Sequence, residues 1–256
     1  MDSAAVLLAA RLVPWLRAWR AGLTSLDEVV TALTSGWMSG VEQVVLGETE
    51  ALGTSLPNGL ARLSSVPCHE IRLVLAVPGD ARGLPVSGPF AAAGLTAGEA
   101  VVAGVHGLVP EHREHTSGSG DDFETVTWRL YTLDDPPLPV ADVGVGEADL
   151  ALTEALHDAT KRLTDMDVAS WNPDLGRALG QARKPQAPDL PPGFDPRARR
   201  LYARALLLNR VVAVAESDAM GGAVTAAEAA ARLDALRPLA AACRQAIGAA
   251  CHARLG

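Results

Sequence analysis

Three predicted β-strands between residues 71 and 133 constrain the fold of this chain most, because the sequence on both sides of them is mainly helical in pattern. The first, Ile71 to Val77, is an almost continuous apolar run that ends at Pro78-Gly79-Asp80, which is typical of a strand buried on both faces. The second runs from Ala100 to Val109 and the third from Phe123 to Leu133, with a polar connection between them. The flanking helices need an apolar surface to pack on, and this sheet is the predicted one.

The third predicted strand has the clearest period of two. One side of it holds Val126, Trp128, Leu130 and Thr132, and the other side holds Phe123, Thr125, Thr127, Arg129 and Tyr131. Successive side chains of a strand point to opposite faces, so this alternation indicates a half-buried strand. A weaker apolar segment, Val41 to Leu46, is also predicted to be a strand.

The first predicted helix is amphipathic. Its apolar stripe includes Trp15 and Trp19 and is predicted to face the core, while Arg11 and Arg17 lie off that stripe. Pro14 is expected to bend or divide this helix, because proline removes a backbone donor and its ring clashes with the preceding turn.

Further helices are predicted from their starting sequences. Ser25-Leu26-Asp27-Glu28 has the form of a capping box, in which the serine and the glutamate satisfy free amides at a helix start. Two long helices begin near Asp195 and near Thr225, and the last of them has a narrow apolar seam typical of an antiparallel helical hairpin. The seam consists of Leu233, Leu236, Ala240, Cys243, Ile247, Ala250 and Arg254.

These elements predict an α+β fold: a small, mostly antiparallel sheet packed with N-terminal helices, followed by a C-terminal helical hairpin or bundle. We interpret residues 1–256 as a single domain, with an α/β sub-region at 1–145 and a helical sub-region at 146–256. Proline and glycine are frequent between residues 170 and 195, which predicts a stiff connection, interrupted by a short helix at 173–182.

Composition limits the classes of function. The formal net charge of −8 argues against nucleic acid as a partner, since proteins that bind the phosphate backbone present a basic surface. Lys161 and Lys184 are the only lysines among 22 basic residues. Together with abundant alanine, this arginine bias indicates a GC-rich bacterial genome, so arginine enrichment is poor evidence for phosphate binding.

The N-terminus and the cysteines bear on location. Asp2 stands where a signal peptide needs a positive charge, Arg11 interrupts the apolar run, and no segment approaches the roughly 20 apolar residues of a membrane span. The three cysteines are too few for a disulfide framework, and their odd number fits a reducing compartment. We therefore predict a cytoplasmic protein without a membrane segment.

The segment after the first predicted strand is a candidate ligand-binding loop. Gly79 and Gly83 allow close approach of an anionic ligand, Arg82 supplies the positive charge, and Asp80 orients the ligand or acts as a base. The spacing matches neither a Walker loop nor a dinucleotide fingerprint. The alternative interpretation is a rigid surface turn closed by an ion pair between Asp80 and Arg82.

A second candidate site lies between the second and third predicted strands. His106, His112, His115 and Glu114 offer imidazole and carboxylate groups that together suit a divalent metal. The spacing does not match a known zinc motif. The alternative interpretation is a solvated, charged hairpin loop.

Two functional hypotheses follow. The leading one is a non-enzymatic cytoplasmic interaction or regulatory protein that binds a protein partner or a second copy of itself through its C-terminal helices. The alternative is a small-molecule-dependent or metal-dependent enzyme that uses the Gly79–Gly83 loop or the His112/His115 loop. The sequence specifies neither a reaction nor a cofactor.

Overall fold

The computed structural model describes residues 7–116, 123–137, 143–166, 189–221 and 226–256, without the side chains of Trp37 and residues 218–221. The chain divides into two compact units. The sheet unit comprises residues 7–141, 187–194 and 254–256, and the helical unit comprises residues 1–6, 142–186 and 195–253. The predicted helix at 173–182 and most of the predicted proline-rich connection at 170–195 lie outside the described residues.

The sheet unit contains four α-helices and six strands among its described residues. They are α1 (Leu8–Arg20), α2 (Leu26–Thr34), β1 (Glu42–Gly47), β2 (Thr54–Ser55), α3 (Leu56–Ala61), β3 (Ile71–Val74), α4 (Pro89–Ala97), β4 (Ala100–Ala103), β5 (His106–His115) and β6 (Phe123–Thr132). Short 3-10 helices span Gly36–Met38 and Cys68–Glu70.

The strands form one mixed sheet in the order β2-β1-β6-β5-β4-β3. Only β1 and β6 pair in parallel; the other four pairings are antiparallel. The prediction of an α+β fold with a mostly antiparallel sheet is confirmed, as is the weaker strand prediction at Val41 to Leu46. β6 is half-buried, as its period of two predicted, and Val126 and Trp128 on one of its two sides are fully buried.

The second predicted strand, Ala100 to Val109, is wrong as a single element. The chain turns at Gly104 and Val105, so that β4 ends at Ala103 and β5 returns antiparallel to it. Gly104 has a φ of 56°, which glycine adopts without strain. Apolar residues continue on both sides of this turn, so the periodicity of the sequence does not reveal where the first strand ends.

The polar connection predicted between the second and third strands is also largely strand. β5 continues to His115 and pairs with β6 along its whole length, from His106 opposite Thr132 to His115 opposite Phe123. The polar composition of this segment favours a loop. Hydrogen bonds to β6, which is distant in sequence, stabilise it as a strand instead.

Each face of the sheet packs against different helices. On one face α3 lies against β1, where Gly59 leaves room for Val45, and α1 lies against β3 and β4. On the other face Phe90 of α4 lies over Gly107, and it forms a buried cluster with Val102 and other residues. The N-terminal helices therefore pack on the sheet as predicted.

The arginines of α1 correct the predicted orientation of that helix. Arg11 is 3% exposed and Arg17 is also buried, whereas Trp15 and Trp19 are only half-buried. Arg11 donates hydrogen bonds from Nε to the carbonyl of Ala32 at 2.8 Å and from Nη2 to that of Ser35 at 2.8 Å. These carbonyls lie at the end of α2, where backbone acceptors lack partners and a cation is favoured.

A second series of buried hydrogen bonds reaches the same end of α2. The indole nitrogen of Trp128 donates to Gln43 Oε1 at 3.1 Å, and Gln43 Nε2 donates to the carbonyl of Leu33 at 3.0 Å. The capping box at the start of α2 is confirmed, because Ser25 Oγ accepts the amide of Glu28 and the Glu28 carboxylate accepts the amide of Ser25. Both ends of this short helix are thus satisfied by side chains.

The helical unit contains three described helices: α5 (Val145–Asp165), α6 (Pro196–Gly221) and α7 (Ala226–Cys251). α7 packs against both α5 and α6. The prediction of a narrow apolar seam on α7 is therefore wrong: the buried surface of α7 is wider, because a helix that packs between two neighbours buries more than one stripe. Additional buried residues on it are Ala235, Leu239, Ala242, Ala246 and Ala249. Pro14 and Pro238 lie inside helices α1 and α7, which continue past them.

Candidate functional site

The candidate loop after β3 begins with a tight turn. Asp80 donates its amide to the carbonyl of Val77 at 2.8 Å, and Val77 donates its amide to the carbonyl of Asp80 at 2.9 Å. Gly79, at the third position of this turn, has a φ of 89°, as a type II turn with proline at its second position requires. The turn geometry by itself accounts for Pro78 and Gly79.

The two charged residues of this loop bind each other. Arg82 donates from Nε to Asp80 Oδ1 at 2.7 Å and from Nη2 to Asp80 Oδ2 at 2.8 Å. Hydrogen bonding to Asp80 raises the pKa of Arg82, and the Arg82 side chain is 72% exposed. An anionic ligand at Arg82 must compete with this two-point ion pair.

Gly83 is constrained by packing. Its φ is 88°, and a Cβ atom at this position would lie 3.0 Å from Cγ2 of Val74. The structure therefore brings Gly79, Asp80, Arg82 and Gly83 together on one surface loop. Ligand binding by this loop stays a prediction.

The predicted metal ligands occupy separate positions along β5. His106 and His112 are six residues apart on one strand, a separation of roughly 20 Å at the usual rise per residue. His112 and His115 differ by three positions, which places them on opposite faces of the sheet. Within the described residues, no group of three His, Cys, Asp or Glu side chains could hold a metal ion. The structure therefore does not bring His106, His112, His115 and Glu114 together.

Two of these histidines have protein partners. His112 Nε2 lies 3.0 Å from Glu124 Oε2, and His115 Nε2 lies 2.9 Å from Thr125 Oγ1. The ring of His115 also stacks on Phe123 with a centroid distance of 4.5 Å. These are cross-strand contacts of β5 and β6, which are of a kind that stabilises sheets.

The structure adds a polar surface that the sequence analysis did not single out. On the α4 face of the sheet, Glu111 Oε1 accepts a hydrogen bond from Arg129 Nε at 3.0 Å, and Arg113 lies 3.4 Å from the other carboxylate oxygen. Tyr131 follows on the same face, where its ring contacts Phe90, and burial together with Glu111 raises its pKa. The alternation of β6 places Arg129 and Tyr131 on one side of that strand. Only the pairing of β5 with β6 shows that Glu111 and Arg113 lie on the same face of the sheet.

Sequence comparison decides the family. The model of the N-terminal domain of Rv1486c-like proteins matches residues 9–143, and the model of the C-terminal domain of the same proteins matches residues 146–248. The chain belongs to the Rv1486c-like family. The first match covers α1 to β6 and the second covers α5, α6 and most of α7.

Mycobacterial proteins are similar to this family member over most of their length. The uncharacterized protein Rv1486c of Mycobacterium tuberculosis (strain ATCC 25618 / H37Rv) is 31% identical over 270 residues, covering 91% of each chain. The uncharacterized protein ML1804 of Mycobacterium leprae (strain TN) is 27% identical, covering 94% of this chain and 95% of the relative. These relatives agree with the bacterial origin predicted from composition.

Comparison with solved structures produced no significant match. Within the described parts of the chain, no helix combines the length and the apolar character needed to cross a bilayer.

Proposed function

We propose that this member of the Rv1486c-like family is a non-enzymatic interaction or regulatory protein that self-associates through its C-terminal helices. The observation that carries the proposal is a second apolar stripe on α6. We further propose that it acts in the cytoplasm, which is supported by three cysteines that form no disulfide bond, Cys68, Cys243 and Cys251.

α6 has apolar side chains on opposite sides. Its buried stripe consists of Ala198, Leu201, Ala205 and Val212. A second stripe, Leu207, Val211 and Val214, follows the i, i+4, i+7 spacing on the other side of the helix, and each of these residues is only half-buried. Removing apolar side chains from water is favourable, so covering the second stripe with a further apolar surface stabilises the assembly.

A half-buried arginine is the sequence neighbour of the second stripe. Arg210 lies beside the stripe, and burial lowers its pKa. A second copy of α6 would cover Leu207, Val211 and Val214 with the same three residues, as in a two-fold symmetric interface. Such an interface buries apolar area twice, once on each copy.

Groups suited to catalysis are few among the described residues. Burial raises the pKa of Cys243 to about 12, so this thiol is a poor nucleophile at neutral pH. The charges of Asp80 and Arg82 neutralise each other, and His112 is held by Glu124. These contacts support an interaction protein over an enzyme.

The test is sedimentation velocity of the full chain between about 1 and 100 µM. We expect a concentration-dependent dimer or larger species, and we expect Val211→Glu to weaken association more than about tenfold, equivalent to ~1.4 kcal/mol. The matched control is Val86→Glu, which makes the same chemical change at a fully exposed position of the sheet unit.

Circular dichroism must show that Val211→Glu keeps the helical content of the parent chain. A parent protein that is monomeric at 100 µM contradicts the proposal. So does a folded Val211→Glu variant that associates as strongly as the parent or as Val86→Glu.

A further inference from the structure

We propose that two copies of this protein pair their α6 helices in antiparallel directions around Val211, and that Leu150 of α5 contacts the last turns of the second copy's α6. This pairing rests on the self-association proposed above, which leaves open the direction of the two helices and the role of α5. Three features support it: the position of α5 beside α6, an exposed leucine on α5, and the distribution of charge along α6.

α5 borders the second stripe of α6 at the N-terminal end of that stripe. Arg204 donates from Nη1 to Asp149 Oδ1 at 2.8 Å and to Thr153 Oγ1 at 3.0 Å. Arg204 precedes Leu207 by three positions and Val211 by seven, so these three residues lie on the same side of the helix. The start of α5 therefore occupies the space beside the first turns of α6.

This position of α5 favours one direction of pairing. If the second copy's α6 ran parallel, the two Arg204 residues would lie opposite each other, and the two α5 helices would compete for the same space. In the antiparallel direction the two α5 helices lie at opposite ends of the pair. Leu207 of one copy then lies beside Val214 of the other, and Val211 lies beside Val211 of the second copy.

α5 has an exposed apolar side chain next to its contact with α6. Leu150 is 60% exposed, more than any other large apolar side chain among the described residues of the helical unit. The buried residues Ala148 and Leu152 lie on the opposite side of α5, because two positions along a helix correspond to a rotation of about 200°. In the antiparallel pair the last turns of the second copy's α6 pass Arg204, and there they cover Leu150.

The charges of α6 also favour the antiparallel direction. Its first nine residues contain four arginines, and the first acidic residue of the helix is Glu216. A parallel pair would bring the arginines of both copies together. An antiparallel pair places Arg200 and Arg204 beside the C-terminal end of the other helix. Positive charge is favoured there, because the last backbone carbonyls of a helix carry partial negative charge.

The experiment is disulfide cross-linking of the full chain in a Cys68→Ser background, since Cys243 and Cys251 are buried. Leu207→Cys and Val214→Cys variants, distinguished by affinity tags of different length, are mixed and oxidised. We expect a cross-link between the two variants. Leu207→Cys alone should cross-link to itself at least about tenfold more slowly, because antiparallel pairing separates the two 207 positions by about 10 Å, beyond the reach of a disulfide.

Val211→Cys separates failure of this inference from failure of the proposed function, because it cross-links to itself in either direction of pairing. If Leu207→Cys cross-links to itself as fast as to Val214→Cys, the antiparallel pairing is overturned while association through α6 stands. If Val211→Cys forms no cross-link, or if the parent is monomeric in sedimentation velocity, association through α6 is overturned and this inference with it.

A further variant tests the contact made by α5. Leu150→Glu should weaken association about fivefold, because a carboxylate would be buried against apolar side chains of the second copy. Leu52→Glu is the matched control, since Leu52 is 84% exposed and lies in the sheet unit. Circular dichroism should show the parent helical content in both variants. A folded Leu150→Glu protein that associates as strongly as Leu52→Glu overturns the contact of α5 with the second copy.

Discussion

The two units of this protein specify their folds by different means. In the sheet unit, Arg11 and Gln43 donate buried hydrogen bonds and Glu99 accepts them, and these directional bonds join helix ends to distant parts of the chain. In the helical unit, the described core is mainly alanine and leucine on α5, α6 and α7. Buried hydrogen bonds require one arrangement of their partners, whereas apolar stripes accept any surface of suitable shape. The comparison suggests why partner binding is better sought in the helical unit.

The largest expected effect tests the directional bonds of the sheet unit. Arg11→Met keeps much of the side-chain volume but leaves the carbonyls of Ala32 and Ser35 without their donor. We expect a loss of about 3 kcal/mol in the free energy of unfolding, because buried acceptors of a charged donor are left unsatisfied. Four of the five tryptophans lie in the sheet unit, so urea unfolding followed by tryptophan fluorescence reports mainly on it.

Arg20→Met is the control for that experiment. Arg20 is on the same helix and donates to the carbonyl of Val66 at 2.9 Å, but it is only half-buried. A smaller loss is expected, because water can replace the guanidinium at a more accessible carbonyl. Equal losses for the two variants would contradict the special role of Arg11.

A pair of glycine substitutions compares packing in the two units. In Gly59→Ala the new Cβ would lie 2.2 Å from Cβ of Val45, and we expect about 2 kcal/mol of destabilisation from overpacking. In Gly248→Ala the new Cβ has no neighbour within 4 Å, and alanine is the better helix former. We expect Gly248→Ala to stabilise the helical unit by ~0.5 kcal/mol.

Thermal unfolding followed by tryptophan fluorescence and by circular dichroism separates these two effects. Gly59→Ala should lower the fluorescence midpoint, and Gly248→Ala should raise the helical transition. Destabilisation by Gly248→Ala would show that α7 is packed more closely than its geometry indicates.

The smallest expected effect concerns the loop at Asp80. Arg82→Ala removes an exposed ion pair and should change stability by less than about 0.5 kcal/mol. Phosphate, nucleotides and acyl thioesters should leave the melting temperature of the parent protein unchanged. A ligand-induced increase that Arg82→Ala abolishes would favour the alternative hypothesis of a small-molecule-dependent enzyme over the interaction protein.

Much of the local structure was predictable because its causes are local. The alternation of β6 correctly predicted a half-buried strand, and the spacing of Ser25 and Glu28 correctly predicted the start of α2. The candidate site was less predictable. The spacing of His106, His112 and His115 was compatible with a loop that gathers them, but pairing with β6 extends that segment and separates them.

The sequence by itself determined the α+β class, the apolar period of β6 and the helical character of the C-terminal region. These properties depend on side chains that are neighbours in the chain. Only the tertiary structure decided that β5 returns from Gly104, that Arg11 points inward, and that Glu99 caps α1. Each of these depends on a backbone group far away in the chain, and a backbone amide or carbonyl leaves no mark in the sequence that identifies its partner.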